Sequence, residues 1–263
     1  MEIIDVHVHI YPDKIAQKAT EAIGHFYDIK MEMSAGTTER LLEDGNKAGI
    51  SKFVVHSVAT TAHQVRSINE FIYSEMQKHK EFIGFMTLHQ DLTEEEISEE
   101  VKWCIEKGFK GVKLHPDFQK FYIDGENAEK FYKIIGDKLP ILLHVGDDRY
   151  DYSEPSRLVE MAKKYPNVRF ISAHFGGYRR WEDAKLYLGL NNVYFDTCSS
   201  LTFISPEKAK EIIDMLGVEK FFFATDFPMW DASGEIERFN KIKLNEKERE
   251  MVFSANIKKL LKI

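Results

Sequence analysis

The sequence predicts a parallel (β/α)8 TIM barrel, an α/β fold, with an extra helical insertion after the first strand and helices at its C-terminus. Three observations carry that expectation. The chain has 263 residues, and such barrels reach about 250 residues as one domain. Eight short runs rich in β-branched and aromatic residues are spread along it. Amphipathic stretches separate the runs, the alternation that builds a parallel sheet with crossover helices.

The strand-like runs are, in order, Ile3–His9, Lys52–Val58, Phe82–Thr87, Lys110–His115, Ile141–Val145, Val168–His174, Asn192–Thr197 and Lys220–Thr225. Between them Ala62–His79, Glu94–Lys107, Ala128–Asp137 and Pro206–Leu216 read as helices. The last carries its own start and stop: Ser205 can cap, Pro206 suits the first turn and Gly217 ends it. The acidic residues Glu94, Glu95, Glu96, Glu99 and Glu100 read as the solvated face and first turn of a helix, where the helix dipole favours negative charge. The stretch Ile10–Ile50 is too long for one helix and predicts extra helical structure over the barrel mouth. Asn245–Ile263 reads as helix, with Met251, Ile257, Leu260 and Leu261 available for packing. No Pro/Gly/Ser-rich linker interrupts the chain, so residues 1–263 are expected to form one domain.

Composition excludes several classes of function. With 36 Lys+Arg against 43 Asp+Glu and a net charge of −7, the chain lacks the cationic balance of a nucleic-acid or anionic-membrane binder. A hydrophobic fraction of 43% argues against disorder. No run approaches the ~18 apolar residues of a membrane span, and Met1–Asp5 does not open like a signal peptide. Cys104 and Cys198 cannot form a disulfide scaffold, so a cytoplasmic location is expected.

The histidines carry the functional signal. Five of the ten, His7, His9, His115, His144 and His174, stand at or near strand ends on the side where these barrels place their active sites. In Ile4–His9 the strand period of two puts Asp5, His7 and His9 on one face and Ile4, Val6 and Val8 on the other. The apolar face is expected to meet the helices, which turns the His-x-His pair into the barrel. His144 and His174 end strands five and six, and Asp226 ends strand eight. Four imidazoles and a carboxylate therefore converge on one mouth, a donor set that suits Zn2+, and Fe2+ or Mn2+ less well. Taken singly, each residue has a plainer use: a buried His pair satisfied by neighbours, an Asp that caps a helix, a His that bonds the rim. Convergence from several strands outweighs those uses. His115, ahead of Pro116, fits a turn closing strand four as well as a substrate contact. His56 and His89 read as packing or supporting residues rather than ligands.

Asp5-Val6-His7-Val8-His9, the single histidines on strands five and six, and Thr225-Asp226-Phe227-Pro228 resemble the amidohydrolase superfamily. Gly111-Val112-Lys113-Leu114-His115-Pro116 and Ala173-His174-Phe175-Gly176-Gly177 are similar to its amidohydrolase-related branch, which includes aminocarboxymuconate-semialdehyde decarboxylase. The resemblance runs from Asp5 to about Asn256. It implies one divalent metal held by His7, His9, His144 and Asp226, with His174 as the catalytic histidine beside it, and it suggests a homodimer. Superfamily members with two metals use a carboxylated lysine or a glutamate on strand four, where Lys113 is the only candidate. Lys113 is expected instead to pair with Asp5 deeper in the barrel, since a buried lysine needs a counter-charge.

The function expected is hydrolysis of a small, cyclic or carboxylated organic compound. A bound metal would acidify water, Asp226 would take its proton, and His174 would help stabilise the oxyanion. Non-oxidative decarboxylation at the same residues is the alternative. Arg149, Arg179 and Arg180 follow strands five and six and could fix an anionic substrate. A TatD-type nuclease is disfavoured by Lys113 and His115 on strand four and by the acidic charge balance. A non-catalytic metal store is disfavoured by the presence of both Asp226 and His174.

Overall fold

The computed structural model describes residues 1–263. Its eight strands are β1 (Ile4–His9), β2 (Lys52–His56), β3 (Phe82–Thr87), β4 (Gly111–Leu114), β5 (Ile141–Leu143), β6 (Phe170–Ser172), β7 (Val193–Asp196) and β8 (Phe221–Phe222). They lie side by side in sequence order, each parallel to the next. Val6 N donates to Phe223 O at 3.0 Å and Asp226 N to His7 O at 2.9 Å, bringing the end of the sheet back to β1.

The insertion after β1 holds two helices, α1 (Asp13–Tyr27) and α2 (Thr38–Ala48). Thr37 caps α2 by accepting from Arg40 N. α2 packs closely on β2 because Gly45 has no side chain: a Cβ there would stand 2.2 Å from the Phe53 ring. The crossover helices follow as α3 (Val65–Lys78), α4 (Glu94–Glu106), the short α5 (Pro116–Gln119), α6 (Glu126–Ile135), α7 (Pro155–Lys164) and α8 (Pro206–Leu216). Thr93 and Glu96 cap α4 reciprocally, and Ser205 caps α8 as its sequence predicts. The chain ends in α9 (Ala232–Asn240), α10 (Glu246–Glu250), a π-helical turn and α11 (Asn256–Leu261). No helix is long and apolar enough to cross a membrane.

Two apolar layers hold the barrel. The larger lies between strands and helices and includes Val8, Phe53, Val55, Val112 and Leu114. The smaller fills the barrel floor, where Ile4, Val6, Leu142, Ile171 and Phe222 meet Ile257, Leu260 and Leu261 of α11.

The face assignment expected for β1 is corrected here. Pairing between β1 and β2 slips by one residue between Asp5 and Val8: Asp5 pairs with Phe53, but Val8 pairs with Val55. The slip reverses the inward parity partway along the strand. Ile4 and Val6 therefore point into the barrel below the slip, and His7 and His9 point into it above.

Six of the eight strands also stop earlier than their hydrophobic runs; β1 and β3 end where expected. His115 and His144 directly follow β4 and β5, His174 lies two residues past β6, and Asp226 lies four residues past β8, just ahead of Phe227, which bridges back to Val8. His174 and Asp226 both adopt φ +64°, a left-handed backbone that cannot continue a strand.

Candidate metal centre at the barrel mouth

β1 and the end of β8 build the centre. His7 Nε2 and His9 Nε2 stand 3.3 Å apart, and Asp226 Oδ1 lies 3.4 Å from each. Three ligands sharing one ion at bonds of about 2.1 Å sit roughly 3–3.5 Å from one another, so this triangle fits a divalent metal. The outer atoms of the triangle are fixed. His7 Nδ1 lies 2.8 Å from Asp196 Oδ2, which orients the ring and leaves Nε2 inward. Asp226 Oδ2 accepts from Ser199 Oγ at 2.5 Å, and Trp230 Nε1 donates to that Oγ at 2.9 Å. Burial alone would raise the Asp226 pKa, but His7, His9 and His174 hold it well below the usual carboxylate range.

A second group faces the triangle. His144 Nδ1 lies 2.9 Å from His174 Nε2 and 3.5 Å from the Tyr27 hydroxyl, while its Nε2 lies 3.2 Å from Asp117 Oδ2. The Tyr27 hydroxyl is also 2.8 Å from His115 Nε2. The His115 ring is stacked between Phe118 and His144, and its Nδ1 accepts from Phe118 N to cap α5. Cys198 Sγ lies 3.2 Å from His174 Nδ1. Burial lowers His174 to about 3 and His9 to about 4, so both are neutral at physiological pH, the state in which imidazole binds a metal. His144 thus lines the cavity with His7, His9 and Asp226, but in this structure its Nδ1 engages His174 and Tyr27 rather than the triangle, and its Nε2, close to Asp117, makes no hydrogen bond.

The expected Lys113–Asp5 pair does not form. The slip in β1 turns Asp5 to the helix side with its partner Phe53, whereas Lys113 points inward with its partner Leu142. Asp5 instead accepts from Thr225 Oγ1 at 2.6 Å, from Thr225 N at 3.0 Å and from His7 N at 3.2 Å, tying β1 to the segment that presents Asp226. Burial pushes its carboxyl up to about 7. Lys113 Nζ lies 2.8 Å from His7 Nε2, level with the donor triangle rather than beneath it. Burial lowers it to about 8, against the attraction of Asp226 and Asp196.

The space enclosed by these groups is about 20 Å3, room for little more than one water. Ile23 and Tyr27 of α1, with Met31, roof it, so the insertion covers the mouth. Arg149 does not reach this cavity. Its guanidinium is held by Asp147 at 2.6 and 2.9 Å, and it also donates to Phe26 O at the end of α1. Arg180 pairs with Asp183 at 2.9 Å. Arg179 stacks 3.9 Å over Phe203 outside the cavity and makes no ion pair.

Tyr27, Asp117, Asp196 and Cys198 escaped the sequence reading. Asp196 and Cys198 had a usable signal, since they close strand seven. Tyr27 had none: nothing in the sequence of α1 says that it reaches His115 at the end of β4.

Comparison with known proteins agrees with this architecture. Similar solved structures include an uncharacterised TIM-barrel protein from Bordetella bronchiseptica, at TM-score 0.83 and 15% identity over 100% of this chain and 99% of that one. A 5-carboxyvanillate decarboxylase from Novosphingobium aromaticivorans, complexed with manganese, gives TM-score 0.78 and 16% identity over 100% and 96%. A presumed 2-pyrone-4,6-dicarboxylic acid hydrolase from Pseudomonas putida gives 0.68 and 14% over 99% and 97%. At these identities the likeness is one of fold. No curated protein matches by sequence. The amidohydrolase family model matches residues 4–263, so the chain belongs to the amidohydrolase family of enzymes.

Proposed function

We propose that this enzyme is a metal-dependent hydrolase of a small, cyclic or carboxylated organic substrate. The observation that carries the proposal is the donor triangle of His7, His9 and Asp226 opening on a water-sized cavity. Those three residues would hold the ion, with His144 as the further donor that the family resemblance suggests. Zn2+ suits the set best, followed by Mn2+ and Fe2+. Such an ion supplies Lewis acidity to water and to a substrate oxygen.

The chain's own groups do the rest. Asp226, steadied by Ser199, takes the proton of the attacking water and returns it to the leaving group. His174 faces the same space. The Cys198 thiol donates to Asp196 Oδ1, and the Cys198 carbonyl, which can only accept, lies 3.3 Å from His174 Nδ1; the ring proton therefore sits on Nδ1, and Nε2 faces the cavity as the atom that would take up and deliver a proton beside the reacting oxygen. Arg179 and His115 remain the groups proposed to meet the substrate; Arg149 serves α1 instead.

Decarboxylation is the second reading. Lys113 favours it, because a buried ammonium at the cavity wall offers a charge partner for a substrate carboxylate. Two measurements separate the outcomes. Elemental analysis of protein purified without chelator should find about one equivalent of metal per chain; a protein that takes up none, even from excess Zn2+ or Mn2+, overturns both readings. Turnover of lactones, amides and carboxylated aromatics in 18O-water should label the organic product. Release of CO2 with solvent hydrogen on the carbon, and no label in the organic product, would replace hydrolysis by decarboxylation.

A further inference from the structure

We infer that His56 is a ligand of the metal centre, contributed by β2 and additional to the residues the family pattern supplies. The inference rests on the metal-dependent reading above. His56 is fully buried, and neither of its ring nitrogens has a hydrogen-bond partner. A neutral imidazole carries one donor and one acceptor, and native interiors rarely leave both unmade. The nearby hydroxyl does not help, since Ser57 Oγ donates to Ile10 O. The side chains that act on His56 electrostatically are His9, Lys113 and His7, and none of them makes a hydrogen bond to a His56 nitrogen. The lone pair of this imidazole is therefore free to bind a metal ion, which accepts electron pairs.

The placement agrees. His56 is the register partner of His9 across the β1–β2 ladder, just above the slip that turns His7 and His9 inward. One ring nitrogen from each of His7, His9 and His56 lies within 4.8 Å of the others. The ring centroids are 5.2 Å apart for His7–His9, 5.1 Å for His7–His56 and 4.4 Å for His9–His56. Imidazoles sharing one ion at about 2.1 Å have centroids roughly 4.5–5.2 Å apart, so the three rings need only small adjustment. A histidine that merely filled space would need neither the orphaned nitrogens nor this spacing to both members of the His-x-His pair.

The test uses the full chain, freed of metal and titrated with Co2+, whose visible ligand-field spectrum reports the donor set. His56→Phe keeps the ring volume, and His56→Gln keeps a polar group. Each should bind Co2+ at least about tenfold more weakly than wild type and show an altered spectrum, with circular dichroism of the metal-free proteins unchanged. Wild-type affinity and spectrum in both variants would overturn the inference while leaving the metal-dependent reading intact. A wild-type protein that takes up no Co2+, Zn2+ or Mn2+ would sink that reading and the inference together. Should both variants fail to fold, anomalous scattering from crystals of the Mn2+-loaded wild type decides: an ion at bonding distance from a His56 nitrogen supports the assignment, and one out of reach overturns it.

Discussion

Asp226 and Asp5 show how one strand pair assigns two carboxylates to different work. Asp226 lies in the donor triangle and is held ionised, so on the proposed hydrolytic reading its loss is chemical. Asp226→Asn should lower kcat by about 10²–10⁴-fold while circular dichroism and cooperative unfolding stay native; a wild-type rate would take Asp226 out of the reaction. Asp5 accepts three hydrogen bonds that tie β1 to the segment bearing Asp226, so its loss is structural. Asp5→Ala leaves three buried donors unpaired and should cost about 1–3 kcal/mol in urea unfolding.

Among the elements, α1 and α9 carry the sharpest expectations. α1 roofs the cavity and is clasped by Arg149, which bridges Asp147 and the Phe26 carbonyl. Arg149→Ala should speed amide hydrogen exchange across Asp13–Tyr27 and leave the strands protected. A higher KM for acidic substrates with unchanged exchange would return Arg149 to substrate binding. In α9, Glu235 is fully buried and its Oε2 has no partner. Burial pushes its carboxyl up to about 8, although Arg238 Nε lies 2.7 Å away. A folded-state pKa above the unfolded 4.5 means that the native protein binds the proton more tightly. The resulting stability is present in full below pH 4.5 and is lost as pH rises through 8. Glu235→Gln should therefore gain on wild type by on the order of 1–3 kcal/mol between pH 5 and pH 9, read from denaturant midpoints at each pH; parallel pH profiles would refute this.

At the level of the whole molecule, the two ends of the barrel are separable. The floor is an apolar plug in which Ile257 of α11 meets Ile4, Val6 and Phe222, and the mouth is polar and holds the donors. Ile257→Ala should cost about 2–5 kcal/mol of stability and leave Zn2+ affinity unchanged. Coupled loss of both would mean that the floor positions the site. In the other direction, a chelator should lower Tm of the wild type and excess Zn2+ restore it, because an ion that binds only the folded chain stabilises it by mass action.

Periodicity and residue type were enough to expect eight strands, their order, the capped helix Pro206–Leu216 and the gathering of His7, His9, His144, His174 and Asp226 at one mouth. These are local properties: a run of β-branched residues or a Ser-Pro start carries its meaning within a few positions. What the sequence could not show was long-range. The slip between β1 and β2 depends on which residue of Lys52–His56 meets each residue of Ile4–His9, and no single strand contains that information. It reversed the facing of Ile4, Val6 and Asp5 and undid the Lys113–Asp5 pair. The reach of Tyr27 from α1, the capture of Arg149 by Asp147 and the alignment of His56 with His9 likewise arise only when distant segments pack together. Sequence determined which chemistry this barrel can carry; tertiary packing decided which atoms meet, because contacts between residues far apart in the chain are set by register and closure rather than by local pattern.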